Sequence, residues 1–303
     1  MQEWIQLLID GAAIGGIYAV IALGYTLVYG VLRMINFAHG EIFMMGAFTG
    51  YYTLTYLEDN SNLNDSVPVA SIAIAMIMGT IVAVIIAVAM ERIAYRPLRH
   101  APRLAPLISA IGVSIFLRNV MLRATNAEGK VYPDVFPDGA VEFGEVSILY
   151  IRIFLLAMSA IFLAGLYFFI EKTKAGMAIR AIAEDRDTAA LMGINTDRTI
   201  TMTFAVGAAL AGAAGVAYGM FVPAVTSGIG FIPGIKAFTA AVLGGIGSVP
   251  GAVLGGFFLG ISESLSTKLI GAEYKDVVAF ILLVLVLIFR PWGFLGKRED
   301  KRA

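Results

Sequence analysis

Residues 69–90 read VASIAIAMIMGTIVAVIIAVAM, 22 positions without one charged side chain. Coiled as a helix, such a run is roughly 33 Å long and matches a hydrocarbon core of about 30 Å. A backbone in lipid must satisfy its own hydrogen bonds, so the stretch predicts a transmembrane helix. Working outward, apolar runs of the same kind occupy residues 11–30, 42–57, 104–122, 147–170, 200–222 and 277–289, the second and the last shorter than the others. Residues 235–269 are apolar too, but Gly247, Ser248, Val249, Pro250 and Gly251 interrupt them with a turn-forming cluster that lacks a backbone donor. Two helices are expected there, either as a re-entrant hairpin or as two full crossings. The expected fold class is all-α, a single polytopic membrane domain over residues 1–303 with about eight to nine spans. The alternating pattern of an outer-membrane barrel is absent.

Composition agrees. Of 303 residues, 59% are hydrophobic and 15% charged, against roughly 25% charged in an average soluble domain. Lys plus Arg equals Asp plus Glu at 22 each, so no basic excess is available to gather phosphates and nucleic acid is not an expected partner. The chain has no cysteine and two histidines, His39 and His100. That removes disulfides and thiolate chemistry and leaves little for a metal cage, so neither a metal nor a cofactor is expected.

Cations in short connections set orientation. Arg92, Arg96, Arg99 and Arg103 crowd one connection, Lys172, Lys174, Arg180, Arg186 and Arg198 a second, and Lys297, Arg298, Lys301 and Arg302 the tail at 291–303. These three are expected on the cytoplasmic side. Residues 58–68 and 223–234 carry no Lys or Arg, and 123–146 is mostly acidic through Glu128, Asp134, Asp138, Glu142 and Glu145; these should face outward. Residues 1–10 also lack Lys and Arg, which places the N-terminus outside without the basic region of a secretory signal. The alternative puts Met1 inside, with a further crossing near residues 33–41 and about ten spans.

The cytoplasmic connection 171–199 is too long and patterned to be a bare turn. Within it Glu184, Asp185, Arg186, Asp187, Thr188, Ala189, Ala190, Leu191, Met192 and Gly193 follow one another. The leading carboxylates suit the positive end of a helix, Asp187 can serve as N-cap, and Gly193 can adopt the left-handed stop. A helix of one or two turns is too short to persist alone in water and needs a partner surface. A helix resting on lipid headgroups would show a lysine-rich polar face, whereas here acids match bases.

Further polar groups fall among the spans. Asn36, His39 and Glu41 follow Arg33 between two apolar runs. At membrane depth they would line a pathway; in a simple inner turn Asn36 would cap a helix and Glu41 would pair with Arg33. Glu263, among Ser262, Ser264, Ser266 and Thr267, makes a second polar stripe for which either solvation or substrate contact is open. Small residues recur at every fourth position in Gly207, Ala211, Gly215 and Gly219 and again in Ala252, Gly256 and Gly260, a ladder that lets helix backbones approach closely. The glycine-rich stretch 244–251 is no phosphate loop, because Ala252 and Val253 stand where a Lys and a Ser or Thr are needed. Nucleophile elbows and H-E-x-x-H are missing as well. No catalytic residue is expected and no ATPase site of the chain's own.

Several stretches together resemble one family. Residues 35–41 (INFAHGE), 96–99 (RPLR), 183–187 (AEDRD) with 191–194 (LMGI), 234–245 (GIKAFTAAVLGG) and 290–293 (RPWG) are similar to the permease subunits of branched-chain amino acid ABC importers, the LivH-like branch. The likeness runs over nearly the full length. It implies a permease of the bacterial inner membrane that pairs with a LivM-like second permease, two cytoplasmic ATP-binding subunits and a periplasmic amino-acid-binding protein. It further implies that residues 184–193 are the coupling element that seats in an ATPase subunit. Related permeases carry other neutral amino acids, urea or short amides, and an ion-coupled secondary transporter is the competing class. For the latter, broken helices are expected in both halves, and the sequence shows a clear break only in the second.

Overall fold

The computed structural model describes residues 2–61, 63–99, 101–102, 104–137, 139–143 and 146–296. His100, Arg103, Asp138, Glu145 and the tail cations Lys297, Arg298, Lys301 and Arg302 lie outside the described residues. Among those described, twelve α-helices follow in order. They are α1 (Gln2–Leu32), α2 (His39–Asn60), the single turn α3 (Leu63–Ser66), α4 (Pro68–Met90), α5 (Leu104–Ala124), α6 (Tyr150–Lys172), α7 (Lys174–Glu184), α8 (Arg186–Leu191), α9 (Thr196–Phe221), α10 (Phe231–Gly244), α11 (Val249–Leu269) and α12 (Lys275–Phe289). The chain is an all-α polytopic membrane protein. Six helices are long and apolar enough to cross a membrane, and α10 is a shorter apolar helix.

Burial divides the bundle into centre and rim. The most apolar windows of α1, α9 and α11 are 67%, 72% and 50% buried, those of α4, α5 and α6 only 22–28%, so the second group turns wide faces to its surroundings. Small residues hold the centre. Gly15 and Gly256 bring α1 and α11 together so closely that a Cβ on Gly256 would lie 2.5 Å from the Ala19 backbone. On α9, Gly207 meets Gly24 of α1, Gly212 meets Gly46 of α2, and Gly215 meets Phe43. The four-residue ladders are therefore packing seams within one subunit.

At one end of the bundle Arg99 lies between the carboxylates of Glu91 and Asp197, and Arg180 bonds Glu171 at 3.1 Å; we call it the basic end. Past α4 the chain reaches it through a π-helical turn, Glu91–Tyr95, and a 3-10 turn, Arg96–Leu98. At the opposite, acidic end a short hairpin departs from the helical pattern, with β1 (Ala140–Phe143) antiparallel to β2 (Val146–Leu149).

The break expected around 247–251 falls at residues 245–248. Gly245 and Gly247 take φ of +102° and +94°, a region that glycine enters without a steric penalty. Pro250 sits inside the first turn of α11, where a missing N–H costs nothing, and Ser248 caps that turn by accepting from the Gly251 N–H at 3.2 Å. The turn lies against residues 292–296, whose amides at Phe294 and Leu295 donate to the carbonyls of Leu243 and Gly244 at 2.8 and 2.9 Å. Those bonds supply partners for the last carbonyls of α10.

Candidate functional site

The connection between α6 and α9 forms two helices at the basic end. Thr173 caps α7, accepting from Gly176 N–H at 3.0 Å. The cap of α8 is Asp185, not Asp187: its Oδ1 accepts from the Thr188 N–H at 2.8 Å, and Asp187 falls inside the first turn. Ile182, 3% exposed, anchors α7 in the core; α7 ends at Glu184, and Asp185 is extended at the junction. The Thr188 amide holds the Asp185 carboxyl below its ordinary value of 3.8. Gly193 ends the unit at φ +86°. Ala189 is buried beneath α8, whereas Leu191 and Met192 are 88% and 79% exposed, an apolar tip left bare among the described residues.

The polar segment after α1 lies at membrane depth. The chain turns at Arg33, φ +51°, then climbs back so that His39, the first residue of α2, packs against Gly24 of α1 and its edge faces the Tyr25 ring, centroids 4.7 Å apart. Gly24 is eight residues, roughly 12 Å, inside the end of α1. The segment from Arg33 to the end of α2 is therefore a crossing broken at depth, and the first half of the chain contains a break that the sequence did not display. Asn36 is a connector: its Oδ1 accepts from Ala38 N–H at 3.1 Å and from the Tyr95 hydroxyl at 2.7 Å. Glu41 does not pair with Arg33. It is 2% exposed, its Oε1 accepts from Ser114 Oγ on α5 at 3.1 Å, and its Oε2 has no hydrogen-bond partner.

The start of α10 arrives at the same depth from the other direction. Gly40 stands against Gly230 and Gly234, and a Cβ on Gly234 would be 3.0 Å from the Gly40 Cα. From this contact α2 runs toward the acidic end and α10 toward the basic end. Two opposed helix N-termini thus meet inside the bundle, each with amides that lack intrahelical acceptors. Beside them is a cavity of about 520 Å³ with apolar walls that include Phe37, Ile115, Ile235 and Phe238, and with Glu41 and Arg118 among its lining residues. Arg118 stacks over Phe231, 5.9 Å from guanidinium carbon to ring centroid, and makes no salt bridge among the described residues.

Glu263 belongs to another place. It is 5% exposed and bonded to the ammonium of Lys236 on α10, which also meets Asp276 of α12 at 2.5 Å. The polar stripe is thus neither a solvated face nor part of the Glu41 cavity; together with Tyr18, Arg152 and Asp10 these charges line a separate cavity of about 740 Å³. Sequence reading passed over Lys236, Asp276, Ser114 and Arg118. The available signal was a lone cation inside an apolar run, at 236 and at 118, since an ionisable side chain at membrane depth implies a partner or a cavity.

A multi-pass helical bundle with crossings broken at depth, one apolar and one charged cavity and charges held at membrane depth has the features of a membrane protein that handles a solute. A family model for the permease component of branched-chain amino acid transport systems matches residues 7–287. BraD of Pseudomonas aeruginosa, a high-affinity branched-chain amino acid transport system permease, is 47% identical over 308 residues, covering 100% of this chain and 99% of that protein. LivH of Escherichia coli, of the same description, is 43% identical over 99% of this chain and 98% of its own length. The probable LivH of Methanocaldococcus jannaschii is 28% identical over 96% and 92%. The chain belongs to this family of permease components.

Proposed function

We propose that the chain is one permease half of an ABC importer in the bacterial inner membrane, carrying branched-chain amino acids and driven by separate ATP-binding subunits. The observation that carries this reading is the exposed Leu191–Met192 tip on a capped helix at the basic end. A two-turn element gains little by presenting bare apolar side chains to water, roughly 25 cal/mol per Å², and gains much by seating them in a groove of a cytoplasmic ATPase. The acidic end, with its hairpin, faces a periplasmic amino-acid-binding protein, and a LivM-like permease covers part of the rim. Closure of the ATPases then moves α8, and through α7 and α9 the helices around the cavities. The apolar walls beside Glu41 favour an aliphatic side chain over urea or a short amide.

The test is ATP-dependent leucine uptake by vesicles that contain the chain, its second permease, the ATPases and the binding protein. Leu191→Glu combined with Met192→Glu is expected to abolish uptake and recovery of ATPase subunits with the permease. Undiminished uptake and assembly in that variant would overturn the coupling role.

A further inference from the structure

We infer that the cavity between the N-termini of α2 and α10 is a transient binding site for a zwitterionic aliphatic amino acid, with Glu41 taking the ammonium and Arg118 the carboxylate. The inference rests on the transport reading above and adds to it the place, the contacts and the orientation of the cargo.

Three observations converge. First, Glu41 is 2% exposed yet one of its carboxylate oxygens is without a partner while the residue lines the cavity. Leaving a buried charge half satisfied is costly, and a cationic group entering the cavity removes that cost. Second, Arg118 lies in the apolar helix α5, stacked on an aromatic ring and without a salt bridge among the described residues, so a cation stands on the same wall, near enough to act on the Glu41 charge. A zwitterion complements the two at once; an amine alone or an acid alone satisfies only one. Third, the remaining wall is apolar, with Phe37, Ile111, Ile115, Ile235 and Phe238, and about 520 Å³ lies within the usual range for small-ligand sites, about 300–1,000 Å³. The start of α10, where Arg118 stacks on Phe231, adds positive potential next to the carboxylate position, while Glu41 stands in the first turn of α2.

The site is also built to let go. Ser114 already occupies one oxygen of Glu41 at 3.1 Å, and Arg118 is enclosed on one side only, so the ligand meets one free oxygen and one loosely held cation. Those contacts suit a carrier that must release its cargo. An acidic side chain would meet Glu41 and a basic one would add an unpaired charge to an apolar wall, which directs the site toward neutral aliphatic amino acids.

The experiment uses the assembled transporter in membranes and a diazirine analogue of leucine. In the wild-type chain the photolabel is expected on α5 and α10, at peptides containing Ile115 or Phe238, and excess leucine should remove it. Glu41→Gln and Arg118→Gln are each expected to lower both labelling and leucine uptake at least tenfold while ATPase subunits still co-purify. Ile115→Trp, which fills the cavity from its open side, should do the same. If the transporter carries leucine and these variants match wild type, or if the label lands away from α2, α5 and α10, the cavity assignment is overturned alone. If the wild-type assembly carries no leucine at all, the transport reading itself has failed.

Discussion

Glu41 and Glu263 are the same side chain at nearly the same burial, 2% and 5% exposed, and the structure gives them different partners. Glu263 is bonded to Lys236, which also reaches Asp276, so one ammonium ties α10, α11 and α12 together. Each keeps one carboxylate oxygen without a hydrogen-bond partner beside a cavity; the difference is at the other oxygen, which meets an ammonium at Glu263 and only a hydroxyl at Glu41. A buried charge met by a counter-charge holds helices in place, whereas one met only by a hydroxyl inside a membrane protein is a site awaiting a ligand. The contrast predicts that mutations at the first position damage the fold and mutations at the second damage transport.

The largest expected effect is at Lys236. Lys236→Met removes the cation from a buried cluster and leaves Glu263 unpaired, a loss of about 3–5 kcal/mol. Denaturant unfolding of the purified protein in bicelles measures it, and adding Glu263→Gln to Lys236→Met should recover part of the loss. If Lys236→Met unfolds like wild type, the structural role given to the cluster is wrong. Next comes the seam between α1 and α11. Gly256→Val drives a side chain into the Ala19 backbone, where even a Cβ would stand 2.5 Å from Cα and N, and overpacking of this kind costs about 1–3 kcal/mol. The same unfolding experiment reads it. Glu41→Gln should lie below these, within about 1 kcal/mol of wild type, because the amide oxygen still accepts from Ser114 and the change removes a buried charge. A stability loss as large as that of Lys236→Met would break the comparison.

The class of fold was legible because lipid is an uncompromising solvent: stretches such as 69–90 have one stable conformation in it, and the spacing of small residues on α9 marked the seam with α2 that the structure contains. What the sequence hid were depth and pairing. Nothing local at residues 33–41 distinguishes an inner turn from a helix start at depth, because the decision is made by Gly24, on the preceding helix, which leaves room for His39. Likewise Glu263 looks solvated among serines until Lys236, 27 positions earlier, is brought against it. The small hairpin at 140–149 was missed since its four-residue strands are too short to show a period, and the cap of α8 was misplaced by two residues, two acidic positions being equally suited to capping.

The smallest expected effects are at α8, where they separate a role in assembly from a role in folding. Asp185 is held below its ordinary value by the Thr188 N–H it accepts. A lowered carboxyl pKa stabilises the capped form fully above the unfolded value of 3.8 and loses that contribution only as pH falls through the still lower folded value. Protection of the α8 amides against hydrogen exchange, relative to Asp185→Asn, should therefore be unchanged from pH 8 to pH 5 and shrink only below about 4. Leu191→Glu comes last. Its side chain is 88% exposed, so the substitution breaks no internal contact and should shift unfolding by less than about 0.5 kcal/mol. If it destabilises the isolated chain by more, Leu191 packs within the subunit and the apolar tip is part of the fold; if it leaves the fold untouched while the ATPases no longer bind, the tip belongs to their interface.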